Sequence, residues 1–183
     1  SLVNSRNVQA LLVDNDELWI GTYDNGIYLK NLKTGNIRYH YTVREPGKGL
    51  KTNSFITFLK TTGGTVYAGS ASGLYRFNRE TSSFTHLENV AQDAFIHALY
   101  EDSKGLVWVG TYGRGLYKYD TSSESCEQVL SDSSDYGNLK NEYITSIYED
   151  KDRNIWFTTE GSGFGYINAA TAEIRMFLPG RDV

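Results

Sequence analysis

Four copies of one short motif run through the chain. Trp-Ile-Gly-Thr-Tyr-Asp-Asn-Gly at residues 19–26 returns as Trp-Val-Gly-Thr-Tyr-Gly-Arg-Gly at 108–115, and looser copies occupy 67–73 and 156–163. Each copy starts with an aromatic residue, at spacings of 48, 41 and 48 residues: Trp19, Tyr67, Trp108 and Trp156. A period of this length indicates a repeat protein, so the chain is interpreted as four copies of one structural unit.

The third copy shows the organisation of one unit. Residues 95–101 and 106–111 are short runs rich in β-branched and aromatic residues, and the Asp-Ser-Lys-Gly sequence at 102–105 between them is typical of a turn. Residues 116–119 and 126–130 continue as two further strands. Because no window of the chain combines a 3.6-residue apolar period with capping residues, each copy predicts a four-stranded antiparallel sheet.

Tandem four-stranded units of about 40–50 residues are typical of β-propeller blades. We therefore predict an all-β chain, residues 1–183, that forms a single segment of a larger propeller, with blades at about 1–42, 43–88, 89–130 and 131–183. The repeated aromatic residue is expected to be the wedge between blades. The small residue two positions later, such as Gly21 or Gly110, would let neighbouring backbones approach each other.

The chain also carries a recognisable sequence signature, which covers essentially its whole length and is specific in the first, third and fourth copies. "FIHALYEDSKG" at 95–105, "LVWVGTYGRGLYKYD" at 106–120 and "NLKNEYITSIYED" at 138–150 resemble the two-component-regulator propeller repeat. The second copy departs from it, with Thr62 in place of an Asp and Tyr67 in place of Trp.

The resemblance implies the periplasmic sensor region of a hybrid two-component system of Bacteroidetes, which responds to oligosaccharides. Such a segment would not be an enzyme, and the histidine kinase would lie elsewhere in the receptor. The membrane would be reached only through parts of the receptor beyond this segment. The resemblance implies no cofactor.

The charge and composition of the chain limit the classes of molecule that it is expected to bind. The 18 basic and 22 acidic residues are well mixed and give a net charge of −4, so no basic stripe suited to nucleic acid is expected. No apolar run is long enough to span a bilayer. Since a four-blade segment would leave its two end faces open, neighbouring blades or a second protomer are expected to cover them.

The polar residues that could support catalysis or metal binding favour structural roles. His40 and His86 are predicted on outer strands, and His97 has no repeated partner, so no catalytic residue is predicted. Asp14, Asp102 and Asp150 fall before equivalent turns, which indicates Asx turns rather than a metal site. Cys126 is expected to act as a small apolar residue on an outer strand.

The turn between the second and third strands of each blade is the predicted ligand-binding region, because loops vary around a rigid scaffold. Two tyrosines could stack on sugar rings, three polar side chains could bind hydroxyl groups, and an arginine could hold an acidic group: Tyr23, Tyr112, Asp24, Asn25, Glu160 and Arg114. Tyr23, Arg114 and Glu160 are expected to project to one face of the ring.

Two inter-blade loops, 43–53 and 131–141, each contain Leu-Lys shortly before an Asn. Leu50 and Leu139 are expected to pack between blades, and each Asn to cap the following strand. Two other functions fit the same fold and stay open at this point: a protein-binding scaffold and a polysaccharide-active propeller enzyme.

Overall fold

The computed structural model describes residues 3–129, 139 and 142–178, and these parts form sixteen strands and no α-helix. The strands of residues 1–88 are β1 (Val8–Asp14), β2 (Glu17–Thr22), β3 (Ile27–Asn31), β4 (Ile37–Tyr41), β5 (Phe55–Lys60), β6 (Val66–Ser70), β7 (Gly73–Asn78) and β8 (Ser83–His86). Those of residues 89–183 are β9 (Ile96–Glu101), β10 (Leu106–Thr111), β11 (Leu116–Asp120), β12 (Ser125–Gln128), β13 (Ile144–Glu149), β14 (Ile155–Thr159), β15 (Phe164–Ile167) and β16 (Ile174–Phe177).

The chain divides into two compact units, Ser1–Glu88 and Asn89–Val183. Each unit contains two four-stranded antiparallel sheets in which neighbouring strands are consecutive in the chain. In every sheet the pairing of the first and second strands is interrupted by an irregularity near the start of the first strand. The predicted all-β chain of four four-stranded blades is therefore confirmed, and the exact blade limits stay a prediction.

The repeated tryptophan of the first unit lies between its two blades. Trp19 is fully buried, and its ring centroid is 4.7 Å from that of Phe77, 6.2 Å from that of Phe84 and 6.3 Å from that of Phe58. All three partners belong to the second blade. Trp19 is therefore the inter-blade wedge that the repeat predicts, and its burial stabilises the packing of these two sheets.

The second unit repeats this packing with a different set of apolar residues. Trp108 belongs to a cluster that contains Ile144 and Phe157 of the fourth blade. A Cβ added to Gly110 would lie 2.7 Å from Ile144 Cγ2, and one added to Gly21 would lie 3.1 Å from the Phe58 ring. Both glycines therefore allow the close approach of neighbouring blades.

Two of the three aspartates form the predicted Asx turns. Asp102 Oδ1 accepts hydrogen bonds from the backbone N–H groups of Lys104 and Leu106, each at 2.9 Å. Asp150 Oδ1 accepts equivalent bonds from Asp152 and Asn154. Their Oδ2 atoms accept the indole N–H groups of the motif tryptophans, Trp108 at 2.8 Å and Trp156 at 2.7 Å.

Asp14 does not form the predicted turn, because its hairpin is one residue shorter. It precedes Trp19 by five residues, whereas Asp102 precedes Trp108 by six, and it pairs directly with Glu17. Its carboxylate instead receives Lys60 Nζ at 2.6 Å and Arg79 Nη2 from the second blade. Asp14 is thus the buried acceptor of an ion-pair network between two blades.

The inter-blade loops pack partly as predicted. Leu50 packs against the core of the first unit, and Leu139 is buried in that of the second. Asn53 Oδ1 accepts a hydrogen bond from Val43 N at 2.9 Å, so this side chain closes its loop rather than capping the next strand. Asn141 lies outside the described residues. In the described parts of the chain, no helix is both long and apolar enough to cross a membrane.

Candidate functional site

A repeated hydrogen-bond pattern shapes the turn between the second and third strands of each blade. The hydroxyl at the end of the second strand donates to a backbone carbonyl three or four residues later: Thr22 to Gly26, Ser70 to Gly73, Thr111 to Gly115 and Thr159 to Gly163, at 2.7–3.0 Å. The same hydroxyl oxygens accept backbone N–H groups from inside the turns. The Thr or Ser at the end of each second strand therefore fixes the turn that carries the six ligand-binding residues predicted from the sequence, and this role was not predicted.

These turns are also tied to the chain segments that precede the blades. Backbone N–H groups at the start of the turn donate to the residue just before the first strand of the same blade, as in Tyr112 to Phe95 and Glu160 to Tyr143, both at 2.9 Å. Gly115 N donates to Glu142 O of the fourth blade at 3.0 Å. Side chains from the turns and from the inter-blade segments therefore meet on the same surface of the second unit.

An aromatic pair is the main feature of that surface. The ring centroids of Tyr112 and Tyr143 are 4.0 Å apart with a 34° angle between their planes, and Phe95 lies 5.8 Å from Tyr112. Tyr112 is 46% exposed and Tyr143 is 38% exposed, although each makes this ring contact. We refer to Tyr112, Tyr143 and Glu160 as the tyrosine platform.

Glu160 gives the platform a negative charge. This charge is the main cause of a raised pKa at Tyr112, and a hydrogen bond between the two side chains adds to the effect. The neighbouring Glu142 accepts a hydrogen bond from Ser162 Oγ at 3.0 Å. Two of the predicted residues, Tyr112 and Glu160, are therefore brought together by adjacent blades.

Tyr143 was not among the ligand-binding residues predicted from the sequence. Its position just before a first strand places it against the turn of its own blade, through the Glu160 N–H bond to its carbonyl. The sequence does contain a signal that could have identified Tyr143. It is an aromatic residue just before the first strand of one blade, combined with an aromatic residue, Tyr112, in the turn of the preceding blade.

Arg114 lies on the same turn as Tyr112, but its side chain makes different contacts. Its Nη1 donates to Gln92 O at 2.6 Å, and its own carbonyl accepts Gln128 Nε2 at 2.9 Å. It lines a pocket of about 470 Å³ with Tyr117 and Cys126. Burial raises the pKa of the Cys126 thiol. Arg114 therefore lines a pocket beside β12, the outer strand on which Cys126 is partly buried.

Two of the predicted ligand-binding residues of the first unit form hydrogen bonds with residues near the beginning of the chain. Asp24 Oδ1 accepts Ser5 Oγ at 2.6 Å, and Asn25 Nδ2 donates both to Asn4 O at 2.9 Å and to Tyr28 Oη at 2.7 Å. Tyr23 is 47% exposed. Asp24 and Asn25 therefore support local structure, while the Tyr23 ring stays accessible.

The histidines lie on the predicted strands. His40 on β4 stacks on Tyr28 with centroids 3.9 Å apart, and its Nε2 is 2.7 Å from Asn25 O. His86 on β8 lies 4.8 Å from the Tyr75 ring and is partly buried, so it is less solvated than its predicted outer-strand position implied. Within the described ranges, no group of three or more His, Cys, Asp or Glu side chains could hold a metal ion.

A second groove lies between the two blades of the first unit, with a volume of about 760 Å³. It is lined by the ion-pair network of Asp14, Lys60 and Arg79, together with Arg76. Burial tends to raise the pKa of Asp14, but hydrogen bonds from Lys60 and Arg79 and their positive charges lower it overall. The Asp14 carboxylate therefore partly neutralises the positive charges of Lys60 and Arg79.

The sequence relatives agree with the repeat pattern. A sequence model described as two component regulator propeller matches residues 91–113 and 138–161. Histidine kinase P4 of Formosa agariphila is 29% identical over 161 residues, and the match covers 84% of this chain and 12% of that protein. The chain therefore spans about an eighth of the length of this relative.

Solved structures share the fold. The extracellular domain assigned to a hybrid two-component system of Bacteroides thetaiotaomicron superimposes with a TM-score of 0.80 at 22% identity, over 97% of this chain and 23% of that chain. Virginiamycin B lyase from Staphylococcus aureus gives a TM-score of 0.70 at 18% identity, over 98% of this chain and 58% of that chain. At these identities the likeness establishes the fold alone. The resemblance inferred from the sequence is confirmed at the level of the repeat: residues 91–113 and 138–161 match the model of the two-component-regulator propeller repeat, and the chain has the fold of propeller structures.

Proposed function

We propose that the chain is part of the extracytoplasmic sensor region of a hybrid two-component receptor, and that its tyrosine platform binds a sugar ring of an oligosaccharide. The matches to the regulator propeller model and to a histidine kinase support the receptor assignment. The observation that carries the ligand assignment is the exposed Tyr112–Tyr143 pair beside Glu160. This segment acts in recognition, and the kinase chemistry belongs to other parts of the receptor.

The chemistry of the platform suits a ligand with an apolar face and polar edges. A tyrosine ring offers a flat apolar surface at a low entropic cost, because its side chain has only two rotatable torsions. Glu160 is an acceptor with two oxygens, so it can bind ligand hydroxyl groups in addition to the Tyr112 hydroxyl. A sugar ring presents both of these surfaces to a protein.

The position of the platform also provides a route for signalling. Tyr112 comes from the third blade, whereas Tyr143 and Glu160 come from the fourth, so one ligand would contact both blades of the second unit. A ligand that binds one arrangement of the two blades better than another shifts the population towards that arrangement. The rest of the receptor would detect this shift.

No observation favours an enzyme or a dedicated protein scaffold over this assignment. The similarity to virginiamycin B lyase is limited to the fold. His40 stacks on Tyr28 and its Nε2 lies 2.7 Å from Asn25 O, which is not a pairing of a nucleophile with a base. We therefore propose no second function.

Isothermal titration calorimetry with a panel of neutral and acidic oligosaccharides tests the proposal. We expect at least one of these glycans to bind, and Tyr112→Ala to weaken that binding about five- to tenfold, because a stacked aromatic contact is lost. Tyr148→Ala is the matched control, since Tyr148 is 61% exposed on a strand of the same unit outside the platform. Its binding constant should equal that of the wild type.

Two results would contradict the proposed function. The first is a wild-type chain that binds none of the glycans. The second is a glycan that binds the Tyr112→Ala and Tyr148→Ala variants equally well.

A further inference from the structure

The groove between the two blades of the first unit collects basic side chains in an acidic protein. Three basic residues line it, Lys60, Arg76 and Arg79, together with two acidic ones, Asp14 and Glu80. The chain as a whole has a net charge of −4. All of these residues belong to the first unit, so the groove lies wholly within it. We call it the basic groove.

One buried carboxylate balances two of the basic side chains. Asp14 is 1% exposed, and it receives Lys60 Nζ at 2.6 Å on one oxygen and Arg79 Nη2 on the other. The side chains of Lys60 and Arg79 are 33% and 47% exposed, so both also reach the open groove. A single cation would neutralise Asp14, and the groove supplies a second one and Arg76 in addition.

The fourth blade shows that two packed blades do not need basic residues at these positions. Equivalent positions are identified by their pairing with the motif aromatic and its preceding residue, and by the Asn side chain that holds the turn between the third and fourth strands. In this way the basic residues Lys60, Arg76 and Arg79 correspond to Glu149, Tyr166 and Ala169.

The second unit links its two blades at the same place with the opposite charge. The backbone N–H and the hydroxyl of Ser103 donate to the Glu149 carboxylate at 2.8 Å and 2.6 Å. An inter-blade contact at this end of the sheets is therefore made without a cation from the Lys60 position. The concentration of positive charge is a property of the first unit and not of the repeat.

We propose that the basic groove binds the oxyanion group, a carboxylate or a sulfate, of a small ligand. A guanidinium group can bind such a group through two parallel hydrogen bonds, and the groove contains two arginines. Its volume of about 760 Å³ is that of a small-molecule site. Thr65, Asn78 and Thr85 also line it and offer hydrogen-bonding groups to the rest of a polar ligand.

Binding in the basic groove is independent of the tyrosine platform. The groove contains the β1–β2, β5–β6 and β7–β8 turns, which lie at the opposite end of their sheets from the turn between the second and third strands. The platform uses that other turn, in the second unit. Tyr112→Ala should therefore leave oxyanion binding unchanged, so the two sites can fail separately.

NMR titration of the isotope-labelled 183-residue chain tests the inference, with sodium sulfate and sodium glucuronate as probes at constant ionic strength. Glucose is the neutral probe. We expect saturable shifts at Gly64, Arg76 and Arg79 with at least one anion and none with glucose. Binding of sulfate alone assigns the groove to a free inorganic anion, whereas tighter binding of glucuronate assigns it to an acidic sugar, and both results support an oxyanion site.

Charge variants make the test specific for the groove. Arg76→Gln leaves both printed partners of Asp14 in place and should weaken anion binding about fivefold, since a charged donor is lost. Glu80→Gln should strengthen it about twofold, because an exposed negative charge is removed. Arg44→Gln is the matched control, since Arg44 is exposed in the 43–53 loop and does not line the groove. Circular dichroism checks that each variant folds.

Three results would overturn the inference. The first is a wild-type chain that binds neither anion. The second is an equal loss of affinity in Arg76→Gln and Arg44→Gln, which would make net charge alone responsible. The third is glucose binding as tightly as glucuronate.

Discussion

At the residue scale, the motif tryptophan has two different hydrogen-bond environments. Trp108 and Trp156 donate their indole N–H groups to the aspartates of their Asx turns. Trp19 Nε1 is buried and has no partner among the described residues, because the shorter hairpin directs Asp14 to Lys60 and Arg79. The hydrogen bonds from Trp156 and then from Asn154 lower the pKa of Asp150 to about 2. The same sequence position therefore contributes to stability in different ways in different blades.

This difference predicts unequal costs for the same substitution. Trp108→Phe removes the donor to Asp102, a carboxylate that is only 7% exposed, and leaves one of its oxygens without that bond. Trp19→Phe removes an N–H group that has no hydrogen-bond partner among the described residues. Apart from this group, it removes only apolar volume. We expect the free energy of unfolding to fall by about 1–3 kcal/mol more for Trp108→Phe than for Trp19→Phe. Urea unfolding of both variants measures the difference, and equal losses would contradict the role given to the indole N–H group.

At the element scale, the turns that carry the candidate site depend on glycines with left-handed backbone geometry. Gly26 has φ of +74°, donates its N–H to Asn53 O at 2.8 Å, and leaves no room for a Cβ next to Tyr41 O. Gly35 has the same φ of +74° but no heavy atom within 4 Å of a Cβ. The two positions separate the cost of backbone conformation from the cost of a steric clash.

We expect Gly35→Ala to lower the free energy of unfolding by about 1 kcal/mol, the cost of a left-handed non-glycine residue. Gly26→Ala should lower it by about 3 kcal/mol or more, because the added methyl group also displaces the backbone of β4. Thermal and urea unfolding of the two variants provide the comparison. A smaller loss for Gly26→Ala than for Gly35→Ala would show that the turn relaxes freely.

Sequence periodicity predicted the elements better than it predicted the side-chain partners. The motif spacing and the Gly-bounded apolar runs indicated all sixteen strands, since strand identity depends on local pattern. The network around Asp14 was not predicted, because its partners Lys60 and Arg79 come from another blade. Tyr143 was missed for the same reason: its contact with Tyr112 forms only when two blades pack together.

At the scale of the whole molecule, each compact unit contains one pair of blades joined by a buried wedge tryptophan. The tyrosine platform belongs to the second unit, where two blades contribute to one surface. The proposed recognition surface therefore needs both blades of the second unit.

The proposal of a sugar-binding propeller segment is tested most directly by NMR chemical-shift mapping. The experiment would use the isotope-labelled 183-residue chain, titrated with the glycan that calorimetry identifies. The account predicts that the perturbed signals concentrate at Tyr112, Tyr143 and Glu160. Perturbations centred on the pocket of Arg114, Tyr117 and Cys126, or no perturbation at saturating glycan, would contradict it.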